Sequence, residues 1–332
     1  MSEICQIERR SRRWYRWLVA GICLLLIAGL VRLAYPVVRQ RQITAELRQR
    51  GYEVGAYSAF GENLCWRLGG NNDVGFFLSK VFVSGESLGS STDCERDLKL
   101  IRELFASTYD LFDEPAECHL TLKDPSVTDH GLKYLAGLTR ITDLVLESPN
   151  ITDVGMVHLK GLVKLSSLRL SNTAVADAGL LQLTGLPELS LLCLDGTRVT
   201  DQGLKSLAKA NSLYELSLND TSIADKCVIN LAGLINLKRL HLSNTQITDA
   251  GLAHFHEFAS FRNKNFEELH LRGTQVTLVG VNALLKIKVF RFLDVSETRL
   301  TREELANLMR TQKSSGVYAD LCLYSVYEPQ SE

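Results

Sequence analysis

One spacing constrains this chain more than any other feature. Leucine recurs every 24 residues through the C-terminal two-thirds, and after a five-residue insertion the series resumes, giving Leu120, Leu144, Leu168, Leu192, Leu216, Leu240, Leu269 and Leu293. A fixed period of this length is typical of a solenoid, in which each repeat is one supersecondary unit stacked on its neighbours. The period therefore predicts eight strands at these leucines, whatever the local propensities.

Each repeat reads L-x-L-x-x-T-x-[IV]-T-D-x-G-L, and the first half of this pattern describes a strand and its exit. Alternating leucines, such as Leu240 and Leu242, predict a short strand with one face inward. Thr245 and its equivalents follow the strand. There we expect the hydroxyl to bond backbone groups of the neighbouring coil that would otherwise be buried unpaired.

The second half of the pattern predicts a short helix. In the copy Thr248-Asp249 the hydroxyl can cap free N–H groups, and the helix dipole favours the carboxylate in the first turn. Gly251 and its equivalents are expected to let this turn lie close against the next coil. Leu252, Phe255 and Phe258, spaced by three, form the stripe that faces the core.

This pattern resembles leucine-rich repeat proteins, in the subclass with 24-residue units that occurs in large bacterial families. The resemblance covers roughly residues 76–325. It implies an α/β fold: a right-handed solenoid, curved as a horseshoe, with parallel strands on the concave face and short helices on the convex face. Such repeats serve as general binding surfaces, so the resemblance implies the fold more closely than the function.

The composition divides the chain into five parts. They are a basic tail (1–16), an apolar transmembrane signal-anchor (17–36), a membrane-proximal region with an N-terminal capping repeat (37–117), the leucine-rich repeats (118–310), and a C-terminal cap and tail (311–332). The caps are expected because an open solenoid end would expose its core.

The apolar run at 18–31 is short for a membrane span, but its aromatic flanks extend it to about 20 residues. It predicts an uncleaved single-pass anchor. A cleaved signal peptide is the alternative, although no A-x-A-like site follows the run. Five arginines precede the run, and four follow Arg32. This slight bias predicts an inside N-terminus and extracytoplasmic repeats, in a periplasm or at a cell surface.

Charge, cysteine content and motifs argue against several other functions. The net charge is −1, yet residues 1–50 hold ten Arg against three Glu, so the remainder is mildly acidic, which argues against nucleic-acid binding. Eight cysteines are too few for a disulfide scaffold. In an oxidising compartment, two of Cys65, Cys94 and Cys118 could form a disulfide that stabilises the N-terminal cap. Otherwise we expect these cysteines to be free, buried thiols. No phosphate-binding or Cys/His metal motif occurs, so no cofactor is expected.

The residues that the repeat leaves variable are the candidates for function. In stacked parallel strands they form ladders on the concave face, and a mixed polar face with a few large anchors suits protein recognition. The candidate protein-binding residues are Arg169, Glu215, Ser217, Arg239, His241, Glu268, His270, Arg272, Phe292 and Asp294. They favour a membrane-anchored, non-catalytic scaffold that binds a protein or a surface polymer.

Two other functions remain open at this stage. Ser217, His241, His270 and Asp294 contain the ingredients of a nucleophile–base–orienter set or of a metal site, although an open face offers no wall to exclude water. Alternatively, the solenoids could associate with one another as a structural layer of a cell envelope. The five-residue insertion within 258–266 predicts a surface loop, or else a contact point.

Overall fold

The computed structural model describes residues 38–58, 78–85, 94–107, 117–258, 266–286, 292–315 and 322–324. Within these residues, eleven strands form a single sheet in chain order. The first two strands pair antiparallel, and every later pair is parallel. One strand per repeat, each parallel to the last, is the topology of a solenoid.

The N-terminal elements close one end of the core. They are a helix at 38–49 (α1), strands Glu53–Ser58 (β1) and Leu78–Gly85 (β2), and helix Cys94–Ser107 (α2). Ile43 of α1 and Leu98 of α2 are fully buried. A buried ion pair, 2.6 Å between Arg50 Nη1 and Asp97 Oδ1, ties the chain after α1 to α2. The antiparallel β1–β2 pair departs from the repeat and was not predicted.

Eight regular strands follow, and they contain all eight predicted leucines. They are Glu117–Leu122 (β3), Ile141–Leu146 (β4), Ser167–Arg169 (β5), Leu191–Cys193 (β6), Glu215–Ser217 (β7), Arg239–His241 (β8), Glu268–His270 (β9) and Phe292–Asp294 (β10). The leucines lie in register along the sheet, and none is more than 1% exposed. The sequence period therefore predicted the strand register correctly.

Short helices return the chain on the opposite side. They are Asp129–Leu132 (α3), Asp153–Met156 (α4), Asp177–Leu180 (α5), Asp201–Leu204 (α6), Lys226–Leu231 (α7), Asp249–Ala253 (α8), Leu278–Leu285 (α9) and Arg302–Ser315 (α10), with a last strand, Cys322–Tyr324 (β11). After α8 a 3₁₀ turn, His254–Glu257, continues the chain. A 3₁₀ turn has three residues per turn, so residues spaced by three lie on one side of it. Leu252, Phe255 and Phe258 have this spacing, and all three are buried.

The threonine at the strand exit bonds within its own coil, not to the neighbouring coil as expected. Thr245 Oγ1 donates to the Leu242 carbonyl at 2.6 Å, and Thr197 Oγ1 donates to the Leu194 carbonyl at the same distance. The hydroxyl thus closes the turn that it follows, because the carbonyl three residues back is the nearest buried acceptor.

An aspartate at or just before the start of each helix from α3 to α8 bonds to the following coil, a contact that was not predicted. Asp225 Oδ1 accepts the Thr248 N–H at 2.8 Å, and Asp225 Oδ2 accepts the Thr248 hydroxyl at 2.7 Å. That hydroxyl also accepts the Ala250 N–H at 3.2 Å, so the predicted helix cap is present. Gly251 lies against Asp225 of the preceding coil, whereas the sequence predicted close approach to the next coil.

The predicted membrane localisation, with extracytoplasmic repeats, is corrected here. Among the residues that the structure describes, no helix is both long and apolar enough to cross a bilayer. The predicted tail and anchor, residues 1–16 and 17–36, lie outside the described residues. So do Cys65 and the insertion loop at 259–265. Cys118 is fully buried.

Candidate functional site

The strands place the candidate residues in two adjacent rows. We define the strand face as the outward-pointing side of β3–β10. Strand register aligns one row, Arg169, Cys193, Ser217, His241, His270 and Asp294, and beside it a second row, Glu215, Arg239, Glu268 and Phe292. Arg272 follows β9 by two residues and is exposed. Since paired strands lie roughly 4.8 Å apart, side chains of one row contact their neighbours directly.

Arg239 occupies the centre of a charged network. Its Nη1 lies 3.4 Å from Glu215 Oε2 on β7, and its Nε lies 3.1 Å from Glu268 Oε1 on β9. The guanidinium carbon also lies 5.4 Å from the centre of the Tyr214 ring. The side chain keeps 37% of its surface exposed. Two carboxylates therefore hold the guanidinium in place while it remains accessible to a partner.

Three rings stack beside this network. The His241 and His270 ring centres are 4.3 Å apart, and the planes of the two rings are nearly parallel, at 19° to each other. Phe292 extends the stack, with its centre 4.7 Å from that of His270 and a tilt of 34°. The His241–His270 contact follows from the parallel register, which pairs these two residues one strand spacing apart. Phe292 is paired with Glu268 and reaches His270 diagonally.

Burial and neighbouring charge set the protonation of this region. Burial, and secondly the neighbouring His270, lower the pKa of His241 below its ordinary value, against the opposing pull of nearby carboxylates led by Glu215. Burial alone would raise the pKa of Asp294, but the neighbouring His270, whose Nδ1 lies 3.9 Å from Asp294 Oδ2, and hydrogen bonds from Ser296 outweigh it and lower that pKa. At neutral pH the neutral imidazole is therefore the favoured form of His241, and the ionised carboxylate is the favoured form of Asp294.

The arrangement lacks the contact that nucleophilic catalysis requires. The Ser217 hydroxyl donates to Asp195 Oδ1 at 2.6 Å, and it makes no hydrogen bond to His241. A serine nucleophile needs an adjacent base, so Ser217 is held in a structural contact instead. Within the described ranges, no group of three or more His, Cys, Asp or Glu side chains is placed to hold a metal ion.

The candidates differ in how much surface they offer. Ser217 is only 8% exposed and belongs to the framework beneath the face, whereas Arg169 is exposed. The structure also adds members that sequence reasoning missed. Lys238 Nζ lies 5.1 Å from the centre of the Tyr214 ring and 3.1 Å from Glu267 Oε1. Tyr214, Lys238 and Glu267 each lie two residues before the leucine of their strand. Comparing that position across the repeats could therefore have identified them.

A family model described as a leucine-rich repeat matches residues 233–254. No curated protein matches the chain. Among solved structures, internalin C2 from Listeria monocytogenes is similar, with 19% identity, a TM-score of 0.40, and coverage of 76% of this chain and 81% of that one. Residues 233–254 carry a leucine-rich repeat. Because the same pattern recurs in register through eight strands, the family match and the register together support a leucine-rich repeat protein.

Proposed function

We propose that this chain is a non-catalytic scaffold whose strand face binds a partner protein. The observation that carries the proposal is the adjacency of the Arg239 network and the His241–His270–Phe292 stack on one open face. Arginine and aromatic side chains are the residues that most often dominate the energy of protein interfaces. Here both kinds stand side by side on rigid strands.

Preorganisation strengthens this proposal. Association costs the conformational freedom of interface side chains, and side chains already held by their neighbours lose less. Glu215 and Glu268 hold Arg239, and ring stacking together with the Asp294 carboxylate confines His270. No observation in the described parts of the chain specifically favours chemistry at Ser217 or self-association of solenoids.

The test is differential cross-linking of the full chain in its native cells. We expect a stoichiometric foreign protein to be captured by the wild type and lost from the Arg239→Glu/His270→Ala variant, because that change inverts the central charge and removes the middle ring. Lys209→Glu/His256→Ala is the matched control, because it replaces a cation and a histidine at exposed positions of the helix side. Undiminished capture by the first variant would place the interface elsewhere, and self-contacts alone would favour the structural alternative.

A further inference from the structure

Arg169 differs from the other cations of the strand face. Lys123, Lys238, Arg239 and Arg272 each lie within ion-pair distance of a glutamate, on their own or a neighbouring coil. Arg169 is exposed, and in the part of the chain that the structure describes it has no ion pair, side-chain hydrogen bond or ring contact. Its charge is therefore uncompensated on a face where other cations are paired.

Three carboxylates lie diagonal in register to Arg169, and each has another partner. Glu147 Oε1 lies 3.6 Å from Lys123 Nζ. Asp143 Oδ2 lies 3.0 Å from His119 Nδ1 and accepts the Thr142 hydroxyl at 3.2 Å. Asp195 Oδ1 accepts the Ser217 hydroxyl at 2.6 Å and the Asn219 N–H at 2.8 Å. Moving any of these carboxylates to Arg169 would break the contacts that it makes now.

The two residues paired in register with Arg169 are small and uncharged. Strand register sets Val145 on one side and Cys193 on the other, with Leu191 diagonal to it. Burial raises the pKa of the Cys193 thiol, which keeps that side chain neutral. Val145 and Leu191 are both partly exposed, so an incoming side chain can pack on them. Packing there would exclude water from a salt bridge to Arg169 and strengthen it.

We propose that Arg169 binds a carboxylate of the partner protein, carried by an Asp or Glu whose aliphatic neighbour packs on Val145 and Leu191. This inference rests on the proposed function and adds the partner's chemistry to it. A guanidinium binds a carboxylate through two parallel hydrogen bonds, which gives direction as well as charge. A phosphate fits less well, because its charge of nearly −2 is usually met by a cluster of cations, and Arg169 stands alone.

The experiment selects a displayed library of random 12-residue peptides on the immobilised full chain. We expect the wild type to enrich peptides with one Asp or Glu beside an aliphatic residue. The affinity of these peptides should fall about tenfold or more on Arg169→Gln, as for loss of an interface arginine. Selection on Arg169→Glu should enrich Lys or Arg at the same place. Arg198→Gln, an exposed arginine outside the strand face, should behave as the wild type.

Failure of this inference can be distinguished from failure of the proposed function. Peptides that bind Arg169→Gln as well as wild type, but are lost on Arg239→Glu/His270→Ala, overturn the role of Arg169 and leave the strand face as the binding surface. Peptides indifferent to every strand-face variant count against both proposals. Enrichment of peptides that lack an Asp or Glu, or no enrichment at all, also overturns the inference. Circular dichroism checks that each variant is folded.

Discussion

At the scale of single residues, an aspartate of one coil and a glycine of the next are fitted to each other. A Cβ atom added to Gly251 would stand 2.5 Å from Asp225 Oδ1 and 3.2 Å from the Asp225 Cα. The same carboxylate binds both the N–H and the hydroxyl of Thr248. The coil-to-coil bond therefore depends on the absence of a side chain two residues into the helix.

We expect Gly251→Ala to lower the free energy of unfolding by about 1–3 kcal/mol, because the new methyl group must displace Asp225 from Thr248. Urea unfolding followed by circular dichroism measures the change. Gly185→Ala is the control, since nothing lies within 4 Å of its added Cβ atom. It should be neutral or slightly stabilising. Equal effects of the two substitutions would contradict the proposed fit.

The sequence could show which residues are constrained, but not which coil holds their partners. In a repeat every coil offers the same donors and acceptors, so the period alone does not distinguish a bond within a coil from one between coils. The copies that lack threonine are informative. Asp153 and Asp201 face Ala176 and Ala224, and each accepts only the backbone N–H, at 2.7 and 3.0 Å. The hydrogen bond from the backbone N–H to the aspartate is therefore present whether or not a threonine follows, and the threonine hydroxyl adds a second hydrogen bond to the same carboxylate.

At the scale of elements, the ring stack across β8–β10 makes stability depend on pH. Burial and His270 lower the pKa of His241 in the folded state from its ordinary value of 6.5. The unfolded chain therefore takes up this proton at a higher pH than the folded chain. The resulting stability is complete above about pH 6.5 and is lost as the pH falls toward the folded pKa.

We expect His241→Phe to weaken this dependence, because phenylalanine keeps a stacking ring and cannot be protonated. The free energy of unfolding, measured in urea between about pH 8 and pH 5, should decline less for the variant than for the wild type. His256→Phe, at an exposed position on the helix side, should follow the wild type. If the wild type and His241→Phe lose stability in parallel, protonation of His241 is not the cause.

The strands could be predicted better than the contacts on them. Leucine spacing predicted all eight regular strands and placed the candidate residues on one face. It could not predict that Arg239 is shared by Glu215 and Glu268, or that Asp195 binds Ser217, because those choices depend on distances between competing side chains. The antiparallel β1–β2 pair lies before the period begins, and no spacing indicated it.

At the scale of the whole molecule, charge is distributed unevenly along the strand face. From β7 to β10 the cations are paired with carboxylates and lie beside stacked rings. On β5, Arg169 has no ion pair among the described residues and is paired in register with Val145 and Cys193. A partner that spans both regions would meet a compensated, rigid surface at one end and an open positive charge at the other. Specificity through charge would then arise mainly at β5, because Arg169 is a strand-face cation without an ion pair among the described residues.

A solenoid also distributes its stability locally, because each coil contacts only its neighbours. Leu216→Ala removes a fully buried side chain from the central strand β7 and should cost about 2–5 kcal/mol. Hydrogen exchange should show the largest loss of protection in β6, β7 and β8, with β3 least affected. Leu181→Ala, at a leucine that is 59% exposed, is the matched control and should change little. An equal loss of protection in every strand would instead show that the coils unfold as one cooperative unit.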